Sequence, residues 1–276
     1  MQPNYALVLL SFNHPDLTER CLQSALDLQF PADQIFLIHN GSEEKFCTRL
    51  YVSFPKVNHI LISENAGFTG GANRGLTEAF KNYSHVFFIT NDTEMISLPE
   101  VYPIQLDLLS PLILKRKTES VDSVIGLIDL KFGNLRHVRQ AEEIATLTEQ
   151  QMTYVPGTAF GINKKTFESL GGFDETFHTY WEDVDLSLRA HDEKMRIAHS
   201  DLFRLRHKIG KTCHKNRFYT LYLFQRNRRK LMQKRKLAGP HFYTVYGMHM
   251  LKLLLKILIK PERTTPLRYW WKAIYD

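Results

Sequence analysis

Residues 5–26 read YALVLLSFNHPDLTERCLQSAL, and this stretch decides the fold class. Its first part, residues 5–13, is almost continuously apolar and predicts a buried strand. Its second part, residues 15–26, opens with Pro and Asp and repeats its apolar residues at helical spacing, which predicts an amphipathic helix. A buried strand that leads directly into a helix is typical of a βαβ unit in a parallel sheet.

The same alternation continues along the first third of the chain. Apolar runs predict further strands over 34–42, 57–65 and 85–92, and GGANRGLTEAFKN predicts a helix over 70–82. We therefore expect an α/β fold with a mainly parallel central sheet flanked by helices. Residues 93–150 give little indication of their structure.

Polar residues collect where these predicted strands end. In open α/β sheets, ligands bind outside the carboxyl ends of the strands, so we expect one rim of the sheet to carry the functional side chains. The residues that fall on this rim are Asn13, His39, Asn40, Ser42, Asn65, Gly67, Gly71, Asn91 and Asp92.

Two segments of this rim have residue types that suit a phosphate-bearing ligand. The loop ENAGFTGGANRG, residues 64–75, has four glycines that let backbone amides approach phosphate or sugar oxygens at a helix N-terminus. Asp92 ends a strongly apolar strand, a suitable place for a carboxylate that holds a divalent cation on a pyrophosphate. Both features also fit simpler interpretations: a tight turn before a helix, and an Asp that caps the next segment.

An acidic cluster appears later, in a chain that is basic as a whole. Residues 179–190 read TYWEDVDLSLRA and place Glu182, Asp183 and Asp185 within four positions. The positive end of a helix dipole explains one or two acids in a first turn. It does not explain the bulky Trp181 directly before them, so we expect one of the acids to have a chemical role.

Five motifs follow one another in order along the chain. They are N-x-GF-x-GG-x-N-x-G (65–75), a strand ending in Asn-Asp (91–92), G-x-x-x-G (157–161), GGFDETFHTYWEDVDLSLRA (171–190) and H-K-x-G-K-T (207–212). This series resembles the family 2 glycosyltransferases, in particular their rhamnosyltransferase-like and galactofuranosyltransferase-like bacterial members. The resemblance implies the GT-A fold, in which a nucleotide-binding α/β sheet merges with an acceptor half.

The resemblance also implies a role for each matching residue. Asp92 stands where the family has the last, metal-binding Asp of its DXD-type motif, and His207 stands where related enzymes complete that metal site. Asp183 matches the catalytic base, and Glu182 precedes it. The implied cofactor is a divalent metal, Mn²⁺ or Mg²⁺. The residues implied to line the nucleotide-sugar pocket are Asn13, His39, Asn40, Ser42, Asn65, Gly67, Gly71, Asn73, Asn91, Gly157 and Trp181.

Two positions depart from the family's pattern. His39 stands where the family often has an Asp that contacts the base, which leaves the identity of the nucleotide open. Thr90 takes the first position of the DXD-type motif, so Asp92 is the one carboxylate that accompanies His207. We therefore expect a modest metal affinity.

The chemistry of sugar transfer agrees with these assignments. A cation must neutralise the departing nucleotide diphosphate, and a base must take the proton of the acceptor hydroxyl. Asp183 suits the base, and the neighbouring rings of Tyr180 and Trp181 suit an apolar platform for a sugar. We expect an inverting glycosyltransferase of bacterial surface polysaccharide synthesis. Its expected partners are a nucleotide-diphosphate sugar, with dTDP-rhamnose as the first candidate, and a glycan or lipid-diphosphate-linked acceptor.

Composition limits the class of protein and its compartment. The 276 residues, 43% of them hydrophobic, are enough for one large domain or one domain with an appendage. Cys21, Cys47 and Cys213 lie far apart, which predicts reduced thiols in the cytoplasm. A signal peptide and an uncharged apolar stretch of membrane-spanning length are both missing, so no transmembrane helix is expected.

The basic residues concentrate at the end of the chain. From Arg204 onwards there are 19 Lys and Arg against two acids, whereas residues 1–203 hold 17 basic and 27 acidic side chains. The run 226–236 is strongly basic, and 241–260 predicts a helix with a broad apolar face and a lysine stripe. We expect 226–260 to lie on the inner face of the cell membrane. The alternative is a helix that packs its apolar side on the catalytic domain.

These patterns predict two regions and leave two competing functions. The expected regions are a GT-A catalytic domain (1–212, with a nucleotide-binding half 1–95 and an acceptor half 96–212) and a basic amphipathic helical region (213–276). A nucleotidyltransferase would have a glycine-rich basic loop after the first strand, which SFNHPDL lacks. A nucleic-acid-binding protein would suit the basic end, but residues 1–203 are acidic, so no nucleic acid partner is expected. The oligomeric state has no signature in the sequence.

Overall fold

The computed structural model describes residues 3–207, 217–259 and 265–275. These residues form a central sheet flanked by helices, and the predicted α/β class is confirmed. The elements of the first third are β1 (Ala6–Ser11), α1 (Pro15–Asp27), β2 (Ile35–Asn40), α2 (Glu44–Ser53), β3 (Asn58–Ile62), α3 (Gly67–Ala79) and β4 (His85–Thr90).

The remaining elements complete the sheet and add three C-terminal helices. The strands are β5 (Thr93–Ser97), β6 (Leu108–Lys115), β7 (Val121–Ser123), β8 (Ile125–Asp129), β9 (Asn134–Val138), β10 (Gln151–Tyr154), β11 (Ala159–Asn163) and β12 (Ile197–His207). The helices are α4 (Lys164–Leu170), α5 (Glu182–Asp192), α6 (Arg217–Lys234), α7 (Pro240–Ile259) and α8 (Thr265–Tyr275). A short 3₁₀ helix, Glu175–Phe177, leads towards α5.

The large sheet has the strand order β3-β2-β1-β4-β11-β6-β12-β5, with β7 paired to β6. The strands β3, β2, β1 and β4 run parallel, so their carboxyl ends meet at one edge. β11 is antiparallel to both β4 and β6, and β12 is parallel to β6. A smaller antiparallel sheet, β10-β8-β9, lies beside it.

Both faces of the parallel half are buried. In β1, Leu7 and Leu9 pack into one core cluster with Leu22 of α1, while Val8 packs on the opposite face with Leu76 of α3. Successive side chains of a strand point to opposite faces, and helices cover both faces here. This is why the strands read as continuous apolar runs rather than as alternating patterns.

One helix boundary and one additional helix differ from the sequence prediction. The helix expected over 70–82 begins three residues earlier, because Gly67 takes a positive φ and starts α3. Helix α2 was not predicted, since its short run of mixed residues has a weak apolar pattern. The predicted division between 212 and 213, and also Cys213 and Lys260, lie outside the described residues. Cys21 and Cys47 are buried free thiols.

Helices α6, α7 and α8 pack on one another and on the catalytic body. They share a small apolar cluster, whose buried members are Tyr222, Leu223, Met232, Phe242, Tyr246, Met250 and Ala273. Leu231 and Phe224 of α6 join a second cluster with Trp181. In the three described ranges, none of the helices combines the length and apolar character that a membrane span requires.

Candidate functional site

The carboxyl ends of β1 and β2 are tied together by hydrogen bonds. The backbone N–H of Asn13 donates to Ser42 Oγ at 3.0 Å, and the N–H of Glu43 donates to Asn13 Oδ1 at 3.0 Å. Asn13 has a φ of 40°, a region that Asn tolerates better than most residues. Asn13 and Ser42 therefore form one end of a continuous polar rim.

Asn40 organises the glycine-rich loop that follows β3. Its Nδ2 donates to the Gly67 carbonyl at 2.8 Å and to Asn65 Oδ1 at 3.3 Å, and its Oδ1 accepts from the Ala66 N–H at 3.1 Å. Gly67 has a φ of 73°, and a Cβ at this position would overlap the ring of His178. The loop therefore lies tightly against the segment that precedes α5.

His39, at the end of β2, holds its imidazole in one tautomer. The Phe54 carbonyl can only accept, so His59 Nε2, which lies 3.0 Å away, carries the proton of that ring. Burial lowers the pKa of His59, and burial with the neighbouring His59 lowers the pKa of His39 to about 4, so both rings are neutral at neutral pH. His59 Nδ1 then accepts from His39 Nε2 at 2.9 Å.

Because His39 Nε2 carries the proton of that ring, its other nitrogen, Nδ1, is an acceptor. His39 Nδ1 is buried and has no hydrogen-bond partner within the described ranges. Tyr51 stacks on both imidazoles, with its ring centroid 4.0 Å from that of His59. The end of β2 thus carries a buried lone pair on His39, at the position where the sequence departs from the resembled family.

Asp92 and His207 face each other across the sheet edge. Asp92 Oδ2 lies 3.4 Å from His207 Nε2, and Asp92 Oδ1 accepts from Thr90 Oγ1 at 2.7 Å. Carboxylate and imidazole are both ligands for a divalent cation such as Mn²⁺. Among the described residues, no cluster of three or more His, Cys, Asp or Glu could hold a metal by itself. The pair therefore fits a metal that takes its remaining ligands from a substrate.

The acid pair Glu182 and Asp183 begins α5 in a buried setting. The N–H groups of Gly157 and Val184 donate to Asp183 Oδ2 and Oδ1, each at 2.8 Å. Burial raises the pKa of Asp183 to about 6, and burial with the adjacent Asp183 charge raises the pKa of Glu182 well above its usual range. Glu182 Oε2 is buried without a partner in the described part of the chain. Both acids of the pair therefore hold their protons to a higher pH than ordinary carboxyl groups do.

The segment Gly157–Thr158 connects the acid pair to the Asp92 side of the site. The Thr158 carbonyl accepts from the Thr90 N–H at 3.0 Å, and the preceding residue, Gly157, donates to Asp183. A Cβ on Gly157 would lie 3.3 Å from the Phe68 ring and 3.4 Å from Asp183 Oδ2, so the space beside this residue is narrow. Asp183 is thus linked to the Asp92–His207 pair by a short chain of hydrogen bonds through Gly157, Thr158 and Thr90, although these residues are widely separated in sequence.

Several predicted pocket residues have other roles in the structure. Trp181 is 1% exposed and packs against Phe224 in the core, so the predicted sugar platform at this ring is wrong. Asn73 is engaged with the Phe173 backbone and with Glu175, and Asn91 donates to Thr18. A Cβ on Gly71 would overlap Leu10, so this glycine permits α3 to pack closely on β1. These residues support the rim rather than face a ligand.

The structure also adds residues that sequence reasoning missed. Lys234 of α6 bridges Asp174 and Asp185, at 2.8 Å to each carboxylate, and Asp185 is fully buried. Asn227 of the same helix reaches the loop before α5. A signal was present, since Leu223, Asn227 and Leu231 recur at helical spacing within a basic run. That stripe is the face of α6 that packs on the catalytic body.

Comparison with known proteins agrees with this arrangement. A family model described as glycosyl transferase family 2 matches residues 7–186. A curated relative, the low-salt glycan biosynthesis hexosyltransferase Agl10 of Haloferax volcanii, is 23% identical over 216 residues. That match covers 71% of this chain and 66% of the relative, so the chain spans just under two thirds of the relative's length.

Solved structures share the fold at low sequence identity. GalNAc-T7 with UDP, GalNAc and Mn²⁺ superposes with a TM-score of 0.64 at 15% identity, over 84% of this chain and 48% of that protein. The mannosyltransferase PcManGT of Pyrobaculum calidifontis, with GDP-Man and Mn²⁺, gives 0.55 at 14% identity, over 99% and 86% of the two chains. Staphylococcus aureus TarS gives 0.52 at 13% identity, over 83% and 39%. The fold is therefore the GT-A glycosyltransferase fold.

Proposed function

Because this chain belongs to glycosyl transferase family 2, we propose that it is an inverting enzyme with Asp183 as its general base. It transfers a sugar from a nucleotide-diphosphate donor to a hydroxyl of a glycan or lipid-diphosphate-linked acceptor. One observation carries this proposal: Asp183 accepts from Gly157, and Thr90, which donates to Asp92, also bonds the neighbouring Thr158 carbonyl. In this proposal the base and the diphosphate site lie on either side of one sugar.

The acid pair supplies the proton transfer. In an inverting reaction the acceptor oxygen attacks the anomeric carbon, the bond to the diphosphate breaks on the opposite face, and the base removes the hydroxyl proton. A base works best when its pKa lies near the working pH, and the raised pKa of Asp183 meets that condition. The N–H groups of Gly157 and Val184 hold the Asp183 carboxylate in place, and burial with the adjacent Asp183 charge raises the pKa of Glu182.

Asp92 and His207 would hold a divalent cation, Mn²⁺ or Mg²⁺, whose charge offsets that of the departing diphosphate when it is bound. Support comes from their 3.4 Å separation and from the Mn²⁺ in two solved structures of similar fold. A single carboxylate and a neutral imidazole bind a metal less strongly than two carboxylates. We therefore expect the cation to bind together with the donor.

His39 selects the nucleobase through its lone pair. A buried acceptor without a partner stabilises a ligand that offers an N–H in that position. Uracil, thymine and guanine each have a ring N–H, whereas the ring of cytosine or adenine has none free at its pairing edge. UDP-, dTDP- and GDP-sugars are therefore the favoured donors, and dTDP-rhamnose is the first candidate.

The acceptor belongs to glycan assembly. The Haloferax volcanii relative is named for low-salt glycan biosynthesis, and we propose an analogous place for this chain in the synthesis of a bacterial surface polysaccharide. Such acceptors are held at a membrane. The proposed location is therefore the cytoplasmic face of the cell membrane.

Contact with the membrane surface would involve α7 rather than the basic run 226–236. That run binds the protein body, as Lys234 and Arg235 do through Asp185 and Asp192. By contrast, Met248, Leu251 and Leu255 are exposed apolar residues on α7, and Lys252 lies among them. An exposed apolar face with a cationic edge is typical of an interfacial helix.

Vesicle sedimentation tests this part of the proposal. Leu251→Glu/Leu255→Glu should release the protein from vesicles that contain phosphatidylglycerol. Val52→Glu, at an exposed apolar position on α2, is the matched control. Equal sedimentation of both variants would count against membrane contact through α7.

A donor screen tests the function itself. The protein is incubated with UDP-, GDP-, dTDP-, CDP- and ADP-sugars and Mn²⁺ or Mg²⁺, and release of the nucleoside diphosphate is measured with and without candidate acceptors. We expect metal-dependent release from one donor of the first three groups, and its loss in Asp183→Asn. Release that is unaffected by this substitution would refute the assignment of the base.

A further inference from the structure

The loop that leads into the acid pair has an unusual backbone. His178, Tyr180 and Trp181 have φ values of 62°, 69° and 75°, in a region that residues with a Cβ rarely adopt. Each such residue costs about 1–3 kcal/mol and persists only when its surroundings impose it. Trp181 is also the residue directly before α5, and its carbonyl accepts from the Asp185 N–H. The path of this loop therefore sets where α5, with Glu182 and Asp183, begins.

One side chain from the C-terminal region holds this loop. Asn227 of α6 is fully buried, and its Nδ2 lies 2.8 Å from each of three carbonyl oxygens, those of Phe177, Thr179 and Tyr180. An amide has two N–H groups, so at least one of them is shared between two carbonyls. The side-chain oxygen of Asn227 accepts from Arg226 Nε at 2.9 Å, which orients the amide with its nitrogen towards the loop.

The residues around Asn227 fix it in turn. On one side, Phe224 packs its ring 5.3 Å from that of Trp181, and on the other, Lys234 binds the buried carboxylate of Asp185. These contacts place α6 against both ends of the segment 177–185. The contacts of Phe224 and Lys234 fix α6 against the loop, and α6 in turn fixes the position of the Asn227 amide.

Asparagine suits this position for a chemical reason. An apolar residue would leave three carbonyls without a donor, and an Asp would place its lone pairs against theirs. In either case the loop has no compensation for its left-handed residues, and it would relax towards ordinary φ values. Such a relaxation would shift the start of α5 and draw Asp183 away from the Gly157 N–H.

We propose that Asn227 is a positioning residue for the catalytic base, so that α6 forms part of the active centre. This inference rests on the proposed role of Asp183. It assigns the C-terminal region a catalytic purpose that is independent of any membrane contact. Asn227 touches neither substrate nor metal in this scheme, and it acts through the loop alone.

Steady-state kinetics of Asn227→Leu provide the first test. A misplacement of about 1 Å can cost about 10²-fold in rate, so kcat should fall by that order. KM for the donor should stay within about twofold, because interactions with the donor are not altered. The midpoint of the acidic limb of the kcat–pH profile should also move, because the carboxylate changes its hydrogen bonds and its burial.

A milder variant and two controls separate positioning from folding. Arg226→Met removes the group that orients the amide at a half-buried position, and it should lower kcat about threefold with a shift of the profile in the same direction. Lys236→Met removes an exposed charge two residues beyond the end of α6 and should leave kcat unchanged. Asn163→Ala removes a helix cap at the opposite end of the sheet, so it should lower the melting temperature without moving the profile.

The outcomes decide the inference separately from the proposed function. One outcome is that Asn227→Leu and Arg226→Met lower the melting temperature yet show the same kcat and pH profile per folded molecule as Asn163→Ala. In that case Asn227 is a structural residue and the inference fails. If Asn227→Leu does not fold, Arg226→Met decides alone. Asp183→Asn is measured in parallel, since an active Asp183→Asn would refute the base itself, whatever the Asn227 variants do.

Discussion

Two groups of acids lie within a few residues of one another and behave in opposite ways. Glu182 is buried and Asp183 is half-buried, neither has a cationic partner among the described residues, and the surrounding protein raises the pKa of both. Asp174 and Asp185 are bridged by Lys234. Hydrogen bonds from Lys234 and Thr176 outweigh burial and hold the pKa of Asp174 well below its ordinary value.

The difference lies in whether the protein neutralises its own charge. Where α6 meets the body, Lys234 and Arg235 satisfy the carboxylates, and the result is a fixed interface. At the start of α5, Asp183 receives two backbone N–H groups, and no cation of the described residues pairs with either acid, so both keep their ability to exchange a proton. Carboxylates with pKa values raised by burial in a cleft are typical of catalytic sites. Within one stretch of sequence, Glu182 and Asp183 are therefore the candidates for proton transfer, whereas Asp174 and Asp185 stabilise the fold.

The largest expected effect comes from the unpaired group. Asp183→Asn should lower kcat by about 10²–10⁴-fold, the usual contribution of a general base. It should lower the melting temperature little, because the loss of one acceptor for the N–H groups of Gly157 and Val184 is offset by the removal of a carboxylate whose burial opposes ionisation. Nucleotide release and thermal unfolding measured on one preparation test both statements. A variant that unfolds at a much lower temperature and keeps its kcat would place Asp183 with the structural acids.

The paired group should give the reverse result. Asp185→Asn leaves Lys234 and Arg189 without a buried partner, and we expect a loss of about 2 kcal/mol in the free energy of unfolding. This is below the ~3–5 kcal/mol typical of fully buried pairs because Lys234 is partly exposed. Urea denaturation measures the loss, and Glu193→Gln on an exposed turn is the control. If Asp185→Asn lowered kcat as much as Asp183→Asn does, Asp185 would not be a purely structural acid.

The two groups should also respond to pH with opposite signs. The folded pKa values of Glu182 and Asp183 lie above their unfolded values of 4.5 and 3.8. As pH rises through this range, the unfolded chain releases protons that the fold retains, so the pair costs stability and Glu182→Gln should become relatively more stable. Asp174 has a lowered pKa, so its stabilising contribution is present above pH 3.8 and is lost as pH falls.

Denaturation series from pH 3 to pH 8 test these signs. The difference between Asp174→Asn and the unsubstituted protein should be about 1 kcal/mol at neutral pH, the order expected for a partly exposed pair, and should begin to decrease as the pH falls below 3.8. The difference for Glu182→Gln should have the other sign and should grow towards neutral pH. If the free-energy differences of the two variants changed with pH in the same direction, Asp174 and Glu182 would share one kind of environment.

The sequence is sufficient to predict the half of the fold that is buried on both faces. β1, β2 and β4 are buried and largely apolar runs, so their positions and the rim at their ends follow from pattern alone. The pairing of Asp92 with His207 required a family resemblance, because spacing along the chain carries no information on distance. Trp181 was misread as a ligand platform because its burial depends on Phe224 of α6, far along the chain. Asn227 was missed since the surrounding basic residues indicated a solvated or lipid-bound surface.

The smallest expected effect concerns the nucleobase, where the contrast between satisfied and unsatisfied groups recurs. His59 has both ring nitrogens engaged, whereas His39 Nδ1 is a buried acceptor without a partner in the described residues. His59→Phe keeps the stack with Tyr51 but removes the acceptor of the His39 Nε2 proton. The His39 proton is then free to move to Nδ1, which turns the fixed acceptor into a donor.

We therefore expect His59→Phe to lower the affinity for UDP and dTDP about fivefold, the equivalent of one neutral hydrogen bond, and to leave CDP unchanged or bound more tightly. Cytosine offers a ring acceptor where uracil offers an N–H, so the ratio of the two affinities isolates the tautomer from general damage to the site. Calorimetric titration of the three nucleotides measures it, and His85→Phe at the opposite end of β4 is the matched control. An equal loss for UDP and CDP would mean that His59 only supports the stack, and that His39 does not read the base through a fixed lone pair.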